Sequence, residues 1–228
     1  MSSHVQFSHE GGISRIVMDD GKANVMSPAL LASLHEAFDK AKEKTGLVVL
    51  SSGGRHFSGG FDLKVIREGT REEKVAMLRA GAELALRILS FPRPVISVCT
   101  GSALPMGAFL LLCSDVRFAA EGDYKISMNE VMIGLTVPHF AIEIARQRLT
   151  PAYFNRAVLL GEMYAPQEAA KAGFVDTVLP PSVLSGIVEQ TLQGLSAIDF
   201  VAHAETKVRA RKATIDAIRA AIDSELVV

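Results

Sequence analysis

The 228-residue chain has no tryptophan, only three tyrosines and two cysteines, and almost no excess of charge, with 24 Lys+Arg against 25 Asp+Glu. Each shortage excludes something. Aromatic residues at 6% are too few for a platform on which single-stranded bases could stack. A formal charge of -1 gives no general attraction to polyanions, so neither a nucleic-acid partner nor a polybasic membrane contact is expected. Cys99 and Cys113 lie in apolar stretches without CxxC spacing, which argues against a disulfide framework or zinc site and fits a reducing, cytoplasmic compartment. The six histidines form no HExxH motif, so no metal is expected. The glycine-rich segments lack the GKS/GKT ending of a P-loop, and no GxSxG elbow is present. Met1–Gln6 show no basic cluster leading into an apolar run, so no secretory leader is expected. One uncharged stretch, Val95–Cys113, has the length of a membrane span. Thr100, Gly101, Ser102, Pro105 and Gly107 interrupt it, and lipid would leave that broken backbone unsatisfied, so it reads as buried strand, loop and helix.

What is present is a hydrophobic fraction of 49%, enough for one large core, with no linker or low-complexity tract to divide it. Val5–Phe7 and Ile13–Met18 flank the turn Glu10-Gly11-Gly12 as a hairpin. Ser27-Pro28 opens a helix with one apolar face of Leu30, Leu31, Leu34, Ala37, Phe38 and Ala41. Leu47–Leu50 and Val95–Cys99 are continuous apolar runs, the pattern of strands covered on both faces. Thr70 and Glu73 form a capping box for a helix that Pro92 and Pro94 stop. A helix is expected from near Ala108, and short strands at Val116–Phe118 and Lys125–Ser127. Helices open at Thr150-Pro151 and Ala165-Pro166, the second closing at Gly173, and Phe174–Leu179 is a last strand before a helical remainder. Strands alternating with helices make the fold α/β.

Three segments carry candidate chemistry, each with a plainer reading beside it. The loop Phe57-Ser58-Gly59-Gly60-Phe61-Asp62-Leu63 can bring backbone N–H groups close to a ligand, or is a connector. Gly101–Ala108 passes from strand to helix. Its unpaired N–H groups can hold a developing oxyanion or simply form a helix start, and Met106 is the first donor after Pro105. Glu130 precedes the apolar stretch Val131–Leu135; it is either a desolvated general base or a solvated carboxylate at a strand end. The basic cluster Lys207, Arg209, Arg211 and Lys212 is a solvated face or a contact for a phosphorylated ligand.

In this order the segments resemble the crotonase (enoyl-CoA hydratase/isomerase) superfamily. The resemblance rests on Asn24-Val25-Met26, FSGGFDL at 57–63, GSALPMG at 101–107 followed by Asp115, NEVMIGL at 129–135, and the run from Ala165 to Asp176. It implies a crotonase-type spiral of ββα units over residues 1–179, with a helical C-terminal region, 180–228, in the same folding unit. It also implies an acyl-CoA thioester substrate, no separate cofactor, and a homotrimer or dimer of trimers. Phe61 and Met106 would supply the oxyanion-binding N–H groups. Lys22, Ala23, Ser58, Gly60, Asp62, Leu63 and Lys64 would line the CoA, with Lys207 a phosphate partner.

The family's hydratases use two glutamates. Glu130 matches one, and Phe109 stands at the place of the other. The pattern is similar to the Δ3,Δ2-enoyl-CoA isomerase branch, which implies Glu130 as base and proton shuttle. His139 stands where that branch carries an apolar aromatic, and is either an accessory acid/base group or a core histidine with a local hydrogen bond. The alternatives are hydratase, acyl-CoA hydrolase or decarboxylase activity, or a non-catalytic acyl-CoA binder.

Overall fold

The computed structural model describes residues 4–227; Met1–Ser3, the start of the stretch inspected for a leader, lie outside the described residues. Strands β1 (Val5–Glu10) and β2 (Ile13–Met18) form the expected hairpin, with Val5 opposite Met18 and Glu10 opposite Ile13. Helix α1 (Pro28–Lys42) starts at a Ser27 hydroxyl that accepts from the Leu30 N–H, and it buries the six apolar residues read from its periodicity.

From here the chain winds in repeated turns, each with a strand in a large sheet, a strand or bridge in a small one, and a helix. β3 (Leu47–Ser52), β4 (His56–Ser58), α2 (Leu63–Glu68) and α3 (Arg71–Leu89) form one turn. β5 (Val95–Cys99), β6 (Ser102–Ala103) and α4 (Pro105–Cys113) form the next. β7 (Val116–Ala120), a bridge at Ile126 and α5 (His139–Arg148) form the third. The large sheet runs β1-β2-β3-β5-β7-β8 and is parallel beyond the hairpin, while β4, β6 and Ile126 pair alongside it. This is the α/β spiral the sequence led us to expect. Helices α6 (Pro151–Leu160) and α7 (Pro166–Ala172) precede β8 (Thr177–Leu179); α8 (Pro181–Leu195), α9 (Phe200–Ala210) and α10 (Lys212–Glu225) end the chain.

The main core lies between the sheet and helices α1, α3, α4, α5 and α10. A smaller one lies on the opposite face, where Leu184, Val188 and Leu192 of α8 cover Leu47, Val49, Ile96 and Phe118. Both faces of β3 and β5 are therefore covered, as their unbroken apolar runs require. Helix α4 is buried all round, which explains a helix with no polar face.

Several boundaries differ from expectation. Helix α4 begins at Pro105, three residues before Ala108, because proline sits without strain in a first turn where no N–H is needed. Lys125–Ser127 contributes only the bridges of Ile126, and β8 is confined to the end of the 174–179 stretch. The Val95–Cys113 run divides into β5, β6 and α4, and no helix among the described residues is long and apolar enough to cross a membrane. Helices α2 and α5 were not anticipated. Asp62 starts α2 by accepting from the Lys64 N–H, and α5 follows Pro138 at its N-cap.

Candidate active site

The carboxyl ends of β3 and β5 lead into the two glycine-bearing loops, as ligand sites in α/β folds do. Asp20 organises the entrance: its carboxylate accepts from the N–H groups of Lys22, Asn24 and Val25 at 2.8–3.1 Å. Asn24, held in the left-handed region at φ 49°, donates through its side chain to the carbonyl of His56 at 2.9 Å. The Ala23 carbonyl then accepts from Gly59, and Met26 donates to Gly60, so the first loop is fixed along its length. Asp20 carried no motif of its own in the sequence; a carboxylate two to five residues before several turn amides is its only signal.

Most amides in the two loops are engaged. Gly59 donates to Ala23, Gly60 to the Ser58 hydroxyl, Leu104 to the Ser58 carbonyl, and Gly107 and Ala108 to Leu104. Among the described residues the N–H groups of Phe61 and Met106 have no protein acceptor. The loops are in contact: a Cβ on Gly60 would stand 3.3 Å from Pro105 Cδ, and Gly60 has φ +87°, where only glycine is unstrained. The Phe61 ring and Met106 sulfur meet at Gly81 of α3, where a Cβ would lie 2.5 Å from the ring and 3.3 Å from the sulfur.

A cavity of about 270 Å³ opens beside these loops. Gly60, Phe61, Leu63, Leu104, Pro105 and Phe109 line it from the loop side, Ile66 of α2 and Lys74 and Leu78 of α3 from above, and Asn129, Glu130, Ile133, Leu135 and Thr136 across from them. The Met106 side chain does not line it and is buried where its sulfur and the Phe61 ring meet Gly81. Phe109 packs edge-on against Phe140 of α5, with ring centroids 5.9 Å apart, making an apolar floor.

Glu130 is 6% exposed and lines this cavity. Its carbonyl accepts from Ile133 and Leu135, which fixes a one-turn 3-10 helix at Val131–Ile133 and leaves the carboxyl oxygen Oε2 buried without a partner. Burial raises its pKa to about 7. Desolvation was expected from Val131–Leu135, and Ile133 and Leu135 of that stretch do line the cavity; Val131 and Met132 are exposed, and the other cavity walls complete the burial. Beside it Asn129 also has a buried, unpartnered Oδ1. Two orphaned acceptors facing one cavity are a functional signal that burial costs would otherwise remove.

Other expected site residues fall elsewhere. Ser58 is wholly buried, donating to the Asn24 carbonyl and accepting from Gly60, so its hydroxyl shapes the loop and does not face the cavity. Asp62 caps α2; Lys64 and Lys22 are exposed, and Ala23 lies behind the loop, so none of these four lines the cavity. Lys207 is removed from it. Its ammonium bonds Asp115 at 2.6 Å with the side chain 3% exposed, and Arg211 bonds the other oxygen of that carboxylate at 2.9 Å. Asp115 also accepts from the N–H of Val95, at the end of β5 remote from the loops. His139 matches neither expectation: its ring is 70% exposed, paired with Glu225 of α10, whose carboxylate also accepts from the His139 N–H. It is the first residue of α5 and faces outward, while its neighbour Pro138 lines the cavity. Cys99 and Cys113 are buried, and burial pushes both thiols up to about 12, so neither is a nucleophile.

The sequence profile described as Enoyl-CoA hydratase/isomerase matches residues 8–226. A protein named probable enoyl-CoA hydratase from Bacillus subtilis is 32% identical over 171 residues, 72% of this chain and 64% of its own length. The mitochondrial enoyl-CoA delta isomerase 1 of Mus musculus is 28% identical over 182 residues, 79% of this chain and 63% of its own. The match thus spans just under two thirds of these curated relatives. Among solved structures, the enoyl-CoA isomerase of Mycobacterium tuberculosis superposes with a TM-score of 0.92 at 42% identity, covering 98% of this chain and 97% of that one. The same mycobacterial protein is also described as a probable enoyl-CoA hydratase, with the same score and identity.

Proposed function

The chain belongs to the enoyl-CoA hydratase/isomerase family, and from that premise we propose that it moves the double bond of a 3-enoyl-CoA to the 2 position, with Glu130 as the one proton carrier. The thioester oxygen accepts from the N–H groups of Phe61 and Met106. The Glu130 carboxylate removes a proton from C2, and the electrons pass through the C1–C2 bond onto the oxygen as a dienolate held by the two amides. Each such donor is worth about 3 kcal/mol when aimed at a developing oxyanion. The protonated Glu130 returns its proton to C4, the C3–C4 double bond becomes C2–C3, and no water is consumed. A base with its pKa near 7 serves both halves, since it must accept and release the same proton.

The observation that carries this reading is that Glu130 is the single carboxyl lining the cavity among the described residues, while Phe109 cannot move a proton. CoA would extend toward Lys22 and Lys64, whose exposed ammonium groups suit its phosphates. Hydration is the second reading. It is favoured by Asn129, whose unpartnered Oδ1 beside Glu130 could orient a water. Purified protein given a 3-enoyl-CoA should form the conjugated 2-enoyl product without a 3-hydroxyacyl-CoA. Glu130→Gln should lower that rate by about 10²–10⁴-fold. An undiminished rate in the Gln variant excludes the mechanism, and a 3-hydroxyacyl product as the main species selects hydration.

The active form is proposed to be a homotrimer or dimer of trimers. Val131, Met132, Leu159 and Leu160 stand exposed around Gly161, an apolar patch of the kind a second copy covers.

A further inference from the structure

One lining residue does not fit a cavity for a plain hydrocarbon chain. Lys74 lies in the second turn of α3, half-buried, on the wall formed with Leu63, Ile66 and Leu78. Among the described residues its ammonium has no ion-pair or hydrogen-bond partner. The nearest acid in sequence, Glu73, is engaged in the capping box with the N–H of Thr70 at 2.8 Å. Lys74, Leu78 and Gly81 follow i, i+4, i+7 spacing and share one face of the helix. Gly81 marks where the Phe61 ring and the Met106 sulfur converge, so α3 runs along the cavity from the side chains of the two amide-bearing residues to the lysine. Seven residues of helix rise correspond to about 10 Å. Helical side chains lean toward the N-terminus, which carries the ammonium further from the amide end.

Resting on the isomerase reading, we propose that the acyl chain ends in an anion, a distal carboxylate held by Lys74. An extended chain advances about 1.2 Å per bond, so 10 Å corresponds to about eight bonds and an acyl group of six to ten carbons. At about 30 Å³ for each water-sized group, 270 Å³ accommodates a chain of that size. The carboxylate belongs to the acyl arm and not to CoA, because the wall leading to Lys74 is apolar, and the amide-rich pantetheine would find no partners along it.

The test compares an eight-carbon 3-enoyl-CoA ending in a carboxylate with its methyl-terminated counterpart. The wild type should show a kcat/KM at least about tenfold higher for the carboxylate, seen mainly in KM. Lys74→Met should bring the ratio to near parity, and Lys74→Arg should keep most of the preference. A wild-type ratio at or below one, or a ratio unmoved by Lys74→Met, overturns the proposal. If neither compound turns over, the isomerase reading has failed, and the lysine is judged by binding alone. Saturated eight-carbon ω-carboxyacyl-CoA should then bind more tightly than octanoyl-CoA to the wild type and not to Lys74→Met. Equal loss of affinity for free CoA in Lys74→Met would assign the lysine to the phosphates and sink the proposal.

Discussion

At Glu130 function and stability pull in opposite directions. In the proposed mechanism the carboxylate is the active form, so kcat/KM should rise about tenfold per pH unit below about pH 7 and level off above it, with a single ionisation. In the folded protein its pKa is raised to about 7 from the ordinary glutamate value of 4.5, so the folded state holds the proton more tightly than the unfolded chain. Stability therefore falls as pH rises from about 4.5 to about 7, by up to about 3 kcal/mol, and is flat beyond. Glu130→Gln cannot ionise. Its stability relative to the wild type should improve across that window, and denaturant titrations at pH 4 and pH 8 would reveal the difference. Asp115 makes a contrasting case. Asp115→Asn would leave the buried Lys207 and Arg211 without their counter-charge, at a cost of about 3–5 kcal/mol. Lys207→Met should cost less, because Asp115 keeps Arg211 and the Val95 N–H. Thermal unfolding of the two variants would test that order, and a larger loss from Lys207→Met would contradict it.

Helix α3 links two of these features. Its capping box fixes where it begins, and Gly81 fixes how closely the Phe61 loop can approach it. By helix propensity alone Gly81→Ala should stabilise the helix by roughly 0.8–1.0 kcal/mol. The added Cβ would stand 2.5 Å from the Phe61 ring, so the ring must shift, and any movement of the loop that carries it displaces the Phe61 amide. We expect a lower Tm and at least a tenfold lower kcat, since an oxyanion donor is effective only when already in place. A Tm above the wild type would mean that the loop yields without strain. Helix α4 plays the complementary part, because Pro105 at its first position leaves Met106 as the earliest amide able to donate.

For the molecule as a whole, the proposed assembly would cover the exposed apolar surface around Gly161 with a second copy of the chain. Light scattering should give three or six times the 24.5 kDa chain mass, and Leu160→Glu should shift it toward the monomer. A monomeric wild type at micromolar concentration would rule out the assembly. The two cores on either side of the sheet also tie the C-terminal helices to the rest, α8 covering one face and α10 packing on α3 and α5.

Much of this architecture was legible in the sequence, since its signals are local. Ser27-Pro28, Thr70 with Glu73, and the αL glycine at 173 act within a turn of the backbone, and the apolar spacing of α1 specifies its buried face directly. That residues of both glycine-bearing loops share one cavity with Glu130 matches what the resemblance led us to expect. Other features depended on contacts between residues far apart in the chain. Whether a charged side chain meets a substrate or a counter-ion depends on what the fold brings beside it. Lys207 was expected at the ligand but is neutralised by Asp115, His139 turns outward to Glu225, and Lys74, which carried no motif, lines the cavity. Local hydrogen bonding and burial wrote the spiral into the sequence; long-range Coulombic and steric partners, fixed only on folding, decided which of its charges face the cavity.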